Sequence, residues 1–451
     1  MNLIRPIFIL ATACVGRSIA DDDNNTNTTT KLSNGIVFPT IGMGIGNLQH
    51  DLIEEVVQSG LRLGFRLIDT AHASENEDLL ASAIVESDNY AVAKSESLPP
   101  IHIVSKVWYT HLGYERTKIS VQETLNELKA ITTRQVYVHM LLHWPSCNDN
   151  IEWMNCEEEE ERLPEKIKNA GPPPHLNKST SWKESWKALE IIYKAYESQR
   201  KANGNKVQGP IIASIGVSNF DIDEMKSLME VAKVKPHIYQ GDIWSAFHDP
   251  DLVRYLNHNK IYFQAYGIMD RTLRMRDESK SAFSILSDIS REIASTMHAV
   301  DENKGKTLLV TEATVLLAYF VQRGIGVIPR ASYKGHRQEN SPSVIDAVIP
   351  YLDMDHFNRL QLAVPALMKG RDVHSVVYIE NSLSGPIQLH WVNDETGEEV
   401  LVKDALEPGK VEVIQSHPGH KFVAYDAERS VRREIAVDVG YGQRKNFAVE
   451  L

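Results

Sequence analysis

Short apolar runs alternate with amphipathic stretches from residue 36 to residue 340. Eight of these runs are rich in β-branched and aromatic residues, and they cover residues 41–45, 66–71, 101–107, 136–144, 211–219, 238–243, 261–266 and 326–330. The stretches between them carry apolar residues at helical spacing, as in 52–63 and 312–322. Strands that alternate with helices predict a parallel sheet wrapped by helices. Because eight such units close a barrel, the prediction is an α/β fold, a (β/α)₈ TIM barrel over residues 35–345.

A different pattern begins near residue 372, where helical spacing gives way to alternation. Apolar and polar residues alternate over 374–379, 387–392, 410–414 and 421–425, with Gly, Asn and Pro residues between these runs. Alternation with a period of two is typical of strands that bury one face. We therefore predict a small antiparallel β-sandwich domain over residues 372–451, joined to the barrel by a helical connector over 346–371.

Two long insertions interrupt the barrel pattern, over residues 146–180 and 268–306. Each follows the carboxyl end of a predicted strand, where barrel enzymes place the loops that cover a ligand. The first insertion contains the acidic run 157–161. We interpret this run as a solvated face of the loop, with a cation site as the alternative.

The amino-terminal segment has the pattern of a secretory signal peptide over residues 1–20. Arg5 precedes an apolar run over 6–15, and small residues lead up to Ala20. About ten apolar residues are too few to cross roughly 30 Å of hydrocarbon, so no membrane span is predicted. The mature chain would then begin with a disordered polar arm over 21–34. The expected location is the secretory pathway, either outside the cell or in the lumen of the endoplasmic reticulum or vacuole.

Secretory entry would affect the cysteines and the asparagines. Cys147 and Cys156 are the two cysteines that remain after cleavage, and in an oxidising compartment they predict one disulfide. Free thiols or a metal pair are the alternatives, but no further His or Cys pair stands nearby at ligand spacing, so no metal is predicted. Sequons at Asn24, Asn27 and Asn177 predict glycans if the chain is secreted.

The formal net charge of −12 argues against a nucleic-acid-binding surface, which leaves small molecules and proteins as partners. Motifs for small-molecule chemistry occur in the barrel region as GFRLIDTA at 64–71, SKVW at 105–108, LHWP at 142–145, IGVSNF at 215–220 and IPR at 328–330. In this order they resemble the aldo-keto reductase family, over roughly residues 33–345. The resemblance implies reduction of small carbonyl compounds with NADPH as cofactor, NADH being the alternative.

The resemblance also implies a catalytic tyrosine, lysine, aspartate and histidine. Asp69, Lys106 and His143 occupy the matching positions, but Ser74 stands at the expected tyrosine position. Hydride arrival at a carbonyl carbon places negative charge on its oxygen, so a proton donor must stand there. A serine hydroxyl is a far weaker acid than a phenol, whose pKa is about 10. Because loss of a positioned general acid costs about 10²–10⁴ in rate, we expect impaired catalysis.

Two alternatives to slow catalysis stay open at this point. Tyr90, Tyr109 and Tyr114 lie in nearby segments, and one of them could supply the missing phenol. Alternatively, the retained aspartate and lysine form a structural ion pair and the histidine belongs to the core. The chain would then be a non-catalytic binding protein that uses its barrel loops and its carboxyl-terminal domain to dock a peptide partner.

The same resemblance implies a cofactor site. The residues expected at the nicotinamide, by hydrogen bonds to its amide and by ring stacking, are Ser218, Asn219, Gln240 and Tyr266. The residues expected at the adenosine phosphate are Arg330, Ala331, His336, Glu339 and Asn340. Arg330 keeps a cation for the 2′-phosphate. Since Ala331 and His336 remove a hydroxyl and a permanent charge, we predict a weakened preference for NADPH over NADH.

Motifs of another kind occur in the carboxyl-terminal region. YIENS at 378–382, LHWVN at 389–393, EPG at 407–409 and SHPGH at 416–420 resemble the β domain of the von Hippel-Lindau protein, which implies recognition of a hydroxyproline peptide. Trp391, Ser416 and His420 stand at matching places. The residues that replace a tyrosine, a histidine and a tryptophan of that family are Val402, Gln415 and Phe422. Hydroxyproline recognition, binding of another peptide, and a sandwich with Trp391 in its core are the alternatives.

Overall fold

The computed structural model describes residues 28–450 except 97, 149, 203–208, 302–308, 331, 394–395, 427 and 429. The predicted signal peptide, the sequons at Asn24 and Asn27, and Ala331 lie outside the described residues. The chain divides into two compact units, one of Met1–Ile268 and Leu316–Pro350 and the other of Met269–Val315 and Tyr351–Leu451. The insertion 268–306, predicted as a barrel loop, thus falls almost entirely in the second unit.

The first unit is built on an eight-stranded parallel sheet. A hairpin of β1 (Thr29–Lys31) and β2 (Val37–Pro39) precedes it, and its strands are β3 (Met43–Gly44), β4 (Leu67–Asp69), β5 (Ile101–Val107), β6 (Val136–Leu142), β7 (Pro210–Ser218), β8 (Ile238–Asp242), β9 (Tyr262–Tyr266) and β10 (Gly326–Val327). Each strand of the sheet pairs with the next, and parallel bridges join Ile41 to Val327 and Gly44 to Arg330. Since the last strand returns to the first, the predicted barrel-type parallel sheet is confirmed.

The predicted disordered arm is wrong for its last residues. Residues 29–31 pair with Val37–Pro39 in an antiparallel hairpin. Leu32 and Phe38 are buried in a core that includes Leu67 and Val104 of the barrel strands. This segment therefore packs against the barrel, because it has an apolar residue at position 32 and β-branched threonines before it. The polar residues around it had indicated disorder instead.

Helices surround the strands, and one of them, α1, falls on the predicted stretch 52–63 and buries its apolar residues Ile53, Val56 and Val57. The helices of the described residues are, in chain order, α1 (His50–Arg62), α2 (Glu77–Ala93), α3 (Tyr114–Leu128), α4 (Cys156–Arg162), α5 (Glu165–Lys168), α6 (Ser181–Ala202), α7 (Ile222–Val231), α8 (Ser245–His248), α9 (Pro250–His258), α10 (Ile268–Arg271), α11 (Lys280–Asp301), α12 (Glu312–Gln322), α13 (Lys334–Glu339), α14 (Pro342–Val348) and α15 (Met354–Met368). Within the part of the chain that the structure describes, none of them is long and apolar enough to cross a membrane.

The second unit contains α11, α15 and two sheets. The strands are β11 (Ser375–Asn381), β12 (Ile387–Val392), β13 (Glu399–Leu406), β14 (Val411–Ser416), β15 (Lys421–Asp426), β16 (Arg432–Ala436) and β17 (Arg444–Val449). One sheet has the order β14-β11-β17 and the other β13-β12-β15-β16, and inward residues of both, such as Ile379 and Phe422, share one core. The sheets are antiparallel except where β17 pairs parallel with β11. The prediction of an antiparallel sandwich is wrong at this pair, because the chain passes through the other sheet before β17 returns beside β11.

Candidate active site

The predicted aspartate, lysine and histidine lie at the carboxyl ends of three neighbouring strands. Asp69 ends β4, Lys106 is the last residue but one of β5, and His143 follows β6. Parallel strands bring such positions to one rim of a barrel. Lys106 Nζ donates to Asp69 Oδ1 at 2.7 Å and to the carbonyl oxygen of Thr70 at 2.6 Å. The structure thus joins Asp69 and Lys106 directly.

This ion pair is buried, since Lys106 is only 3% exposed. Asp69 Oδ1 also accepts a hydrogen bond from Gln240 Nε2 at 2.7 Å. An ammonium group has three hydrogens, and two of those on Lys106 are used by Asp69 and Thr70. The third has no acceptor among the residues described here. Lys106 is therefore held by the protein and still has one hydrogen to donate.

His143 is the third member of the trio, and its ring packs edge-on against Trp108 with 4.9 Å between centroids. Burial, followed by the charge of Lys106, holds the pKa of His143 well below its usual value, so the ring is neutral at neutral pH. Its Nδ1 is buried without a hydrogen-bond partner in the described part of the chain. Because an unpaired buried N–H is costly, the favoured tautomer carries its hydrogen on Nε2, which can then donate to a substrate oxygen.

Ser74 occupies the place expected for the tyrosine, on a short 3₁₀ turn, His72–Ser74, that follows β4. The turn ends with Glu75 in the left-handed region at φ 46°. Ser74 is partly buried, and a Cβ added at Gly46 would lie 3.5 Å from its Oγ. Its side chain does not take part in the hydrogen bonds of Lys106. The serine thus fills the turn but does not reach the cation.

Within the described residues, none of the three neighbouring tyrosines is hydrogen-bonded to Lys106. Tyr109 is buried, and its hydroxyl donates to Glu159 Oε1. Tyr90 is 59% exposed on α2, and Tyr114 begins α3. In the described residues neither of these two is hydrogen-bonded to the trio.

The first insertion borders the site through its disulfide loop. Cys147 and Cys156 are joined in a disulfide, with 5.8 Å between their Cα atoms. Trp153, inside this loop, lies 6.1 Å from the ring of Trp108 and 5.7 Å from that of Trp144. Trp153 of the loop therefore packs with Trp108 and Trp144, and Trp108 contacts His143. Sequence reasoning gave these tryptophans no role, although Trp108 and Trp144 belong to the SKVW and LHWP motifs.

The acidic run in the same insertion is only partly the solvated face that we predicted, because Glu157, Glu158 and Glu161 are exposed but the other two glutamates face inward. Glu159 accepts a hydrogen bond from Trp108 Nε1 at 2.8 Å as well as that of Tyr109. Glu160 is buried and accepts two hydrogen bonds from Arg116, both at 2.8 Å. Because α4 turns these two carboxylates inward, the run fixes the loop beside the site, and no single-residue signal revealed that.

Residues expected at a nicotinamide amide form the adjacent part of the rim. Ser218 pairs with Gln240 across β7 and β8, and Asn219 follows at φ 60°. Asn219 Nδ2 donates to the carbonyl oxygen of His143 at 3.1 Å, and its Oδ1 accepts from the hydroxyl of Tyr266 at 2.6 Å. These contacts bring all four residues together.

The remaining polar atoms of this group fit a carboxamide. Gln240 Nε2 uses both hydrogens, on Asp69 and on Gln264 Oε1 at 2.9 Å, which leaves Gln240 Oε1 as an acceptor. Within the described residues, Ser218 Oγ is buried and has no hydrogen-bond partner. A hydroxyl that can donate beside an amide oxygen that can accept matches the acceptor and donor of a carboxamide.

The residues expected at the adenosine phosphate lie at the end of β10 and on α13. Arg330 is exposed, His336 Nε2 lies 3.9 Å from Glu339 Oε1, and Asn340 is buried with Oδ1 unpartnered in the described chain. Arg337, next to His336, is buried and pairs with Glu55. The Arg337 cation of α13 is therefore turned into the protein, whereas Arg330 and Lys334 are exposed.

The sequence model described as the aldo/keto reductase family matches residues 36–360 of the chain. The chain belongs to the aldo/keto reductase family. The uncharacterized oxidoreductase YtbE of Bacillus subtilis is 27% identical over 330 residues, 73% of this chain and 91% of that protein. Glyoxal reductase of the same organism is 26% identical over 333 residues, 74% and 92% of the two chains. An aldo-keto reductase crystallised with NADPH is 22% identical, with a TM-score of 0.47, and covers 76% of this chain and 88% of that one.

This aldo/keto reductase also contains a group of side chains that could hold a metal ion, which the sequence did not predict. His72, His111 and Glu123 each offer a ligand atom, and these atoms lie within 4.8 Å of one another. His72 Nε2 donates to Glu123 Oε2 at 3.2 Å. The three residues come from separate turns and a helix, so no spacing motif revealed them.

The second unit of the reductase lies largely beyond the family match. Its ring pair Trp391 and His420 has 5.5 Å between centroids, and Ser416 Oγ lies 3.1 Å from His420 Nδ1. The structure therefore brings the three peptide-binding candidates together. Trp391 also packs against the sandwich core, with Nε1 buried and unpartnered within the described residues, and Phe422 is a core residue.

Proposed function

We propose that the protein binds NADP(H) at the carboxyl end of the barrel and reduces small carbonyl compounds slowly, because Ser74 stands in place of the phenol. The observation that carries the proposal is the buried pair of Asp69 and Lys106 beside the carboxamide-matching Gln240. Family membership supports the reaction type. The names of two relatives, glyoxal reductase and NAD(P)H-dependent D-xylose reductase I,II of Candida tropicalis, support carbonyl compounds as substrates and either NADH or NADPH as cofactor.

In this proposal each residue of the rim has its own role. Ser218 and Gln240 would orient the carboxamide of a bound nicotinamide, which would supply the hydride. His143 donates from Nε2 to the substrate oxygen, while the Lys106 charge stabilises the negative charge that grows there. Asp69 holds Lys106 in place. No side chain of phenol-like acidity is hydrogen-bonded to Lys106 in the described residues, so the proton that completes the alcohol comes from solvent, which costs about 10²–10⁴ in rate.

Replacing Ser74 by tyrosine tests the proposal. NADPH-dependent reduction of glyoxal by Ser74→Tyr is expected to exceed that of the native protein at least about a hundredfold, since a phenol hydrogen-bonded to Lys106 becomes a general acid. Ser74→Phe is the matched control, because it adds the same ring without the hydroxyl and gains nothing. An equal gain in both variants, or none in either, contradicts the catalytic part of the proposal.

Cofactor binding has a separate test. Titration of the native protein with NADPH is expected to change the nicotinamide fluorescence, and Ser218→Ala is expected to weaken this binding because it removes a buried donor to the carboxamide. Absence of any fluorescence change up to millimolar cofactor contradicts the binding proposal, whatever the outcome with Ser74→Tyr.

The second candidate function is a non-catalytic protein that docks a peptide, as the resemblance to the von Hippel-Lindau β domain implies. One observation favours it: apolar side chains are exposed on β13 and β14, namely Val400, Leu401, Val402, Val411 and Val413. Trp391 and His420 lie in the same unit. Intact NADPH binding without any gain in Ser74→Tyr would favour this candidate, since the rim would then lack the geometry for reduction.

We also propose that the chain enters the secretory pathway. The disulfide of Cys147 and Cys156 supports an oxidising compartment, and Asn177 is exposed, as an acceptor of glycan must be. Expression in a eukaryotic host is expected to give a protein whose mass falls on digestion with an amidase that removes N-linked glycans. Asn177→Gln identifies the contribution of that site. Full-length protein retained in the cytosol contradicts this proposal.

A further inference from the structure

A pocket of about 510 Å³ lies at the opposite end of the barrel strands from Lys106. Its lining includes Arg66, which precedes β4, and His102 and Tyr137, the second residues of β5 and β6. Lys106 lies four residues beyond His102 on β5, roughly 13 Å at the rise of a strand. Arg200 of α6 also lines the pocket, and among the described residues no Asp or Glu does. In a protein of net charge −12, a described lining with two arginines and no carboxylate favours a negatively charged ligand.

Arg200 is the buried cation of this pocket. It is only 6% exposed, and its Nη1 has no hydrogen-bond partner in the described residues. Glu197, one turn earlier on α6, is near enough to feel its charge, but that carboxylate is occupied by Lys201 at 3.1 Å and by the hydroxyl of Tyr193 at 3.3 Å. A buried charge without a direct counter-charge is unfavourable. An anion in the pocket would relieve this cost.

His102 adds a neutral donor to the same wall. His102 Nδ1 lies 3.0 Å from His139 Nε2, and His139 Nδ1 lies 2.7 Å from Ser214 Oγ. Ser214 is fully buried, and within the described part of the chain its side chain has no other hydrogen bond, so its hydroxyl donates to His139. His139 then donates from Nε2 to His102 Nδ1, which leaves the hydrogen of His102 on Nε2. Burial lowers the pKa of His102 to about 3, so this ring stays neutral.

We propose that this pocket binds an organic anion. A carboxylate or phosphate group lies between Arg200 and Arg66, with His102 Nε2 as a further donor, and the apolar part of the ligand packs on Val37 and Tyr137. Arginine suits this role because its planar guanidinium binds carboxylate and phosphate in the same two-pronged way. The volume lies within the range of small-molecule sites, about 300–1,000 Å³. The site is separate from the catalytic rim and does not depend on the function proposed there.

Calorimetric titration of the full chain tests the site, with inorganic phosphate and benzoate as probes at constant ionic strength. Val37 is 58% exposed at the pocket, so charged substitutions there leave the core intact. Val37→Glu is expected to weaken binding of either probe at least tenfold, and Val37→Lys, its matched control, to leave binding equal or tighter. Arg200→Gln is expected to abolish it.

The outcomes separate the two ligand chemistries. Saturable binding of phosphate alone assigns a phosphate ester, and binding of benzoate alone assigns a carboxylate with an apolar body. Binding of neither probe overturns the proposal, as do equal affinities in the Val37→Glu and Val37→Lys variants. These two variants decide the question even if Arg200→Gln does not fold, and NADPH binding by the same samples reports separately on the catalytic rim.

Discussion

The two ends of the barrel each contain a buried cation, but within the described part of the chain only Lys106 is hydrogen-bonded to a counter-charge. At the carboxyl end, Lys106 donates to Asp69 and to Thr70. At the amino end, the Nη1 of Arg200 has no partner in the residues that the structure describes. A buried cation with an internal counter-charge serves the fold and the chemistry at once. One without it indicates that the counter-charge comes from outside, and we propose a ligand there for that reason.

The two ends of the barrel were also recognised from different observations. The carboxyl end carries the motifs of the aldo/keto reductases, so family resemblance located Asp69, Lys106 and His143. The amino end carries no motif, and only the burial and the partners of Arg200 reveal it. A site without a family motif can therefore be recognised from a buried charge that lacks a partner.

The largest expected effect comes from removing each cation in turn. Lys106→Met leaves Asp69 buried without its counter-charge, which is expected to lower the free energy of unfolding by about 3–5 kcal/mol. Arg200→Met removes a charge that has no direct counter-charge, so the free energy of unfolding is expected to stay equal or rise. Urea unfolding of both variants in a buffer without phosphate or carboxylate measures the difference. Equal losses in the two variants would show that Arg200 has a stabilising partner after all.

Buried strands were predictable from the sequence, whereas two mostly exposed strands, β13 and β17, were missed. The bounds of β5 and β12 agree with the predicted runs 101–107 and 387–392, because hydrophobic patterning follows burial directly. β13 was missed, since most of its residues are exposed and its apolar side chains do not alternate. β17 was missed as well, and with it the parallel pair that it forms with β11.

The catalytic rim was predictable only as far as its motifs reach. Asp69 and Lys106 were identified because a motif fixes both the residue and its strand. Glu159 was not, because its role depends on how α4 turns toward Trp108, a tertiary contact that spans 51 positions in the chain. Arg200 gave no signal at all, since an arginine near the end of an amphipathic helix is usually exposed.

The disulfide of Cys147 and Cys156 is a covalent link at the carboxyl end of the barrel. Replacing Cys147 and Cys156 together by serine opens a loop of about ten residues, which is expected to lower the free energy of unfolding by about 2–3 kcal/mol. Thermal unfolding with and without reductant measures this: the native protein loses stability in reductant, and the double variant does not respond. Anion binding at the amino end is expected to be unchanged. A native protein that is indifferent to reductant would contradict the prediction.

The smallest expected effect is a difference between the native protein and His102→Phe in how the free energy of unfolding depends on pH. The pKa of His102 is lowered to about 3 by burial, so below its usual pKa of about 6.5 the unfolded chain binds a proton that the folded chain does not. The stability that His102 contributes is therefore complete above pH 6.5 and is lost as the pH falls toward 3, at about 1.4 kcal/mol per pH unit. The His102→Phe variant does not lose this part of its stability as the pH falls.

Only the difference between the two proteins isolates that contribution. Glu224, whose pKa burial raises to about 7, acts in the opposite direction, and both proteins contain it. His102→Phe also leaves the His139 donor unpaired, which lowers stability by an amount that does not vary with pH. Between pH 7.5 and 5.5 the native protein is therefore expected to lose about 1.4 kcal/mol more than the variant, as measured by urea unfolding at each pH. Parallel pH profiles would mean that His102 is protonated in the fold, and a charged ring at the pocket would then replace the neutral donor that we infer.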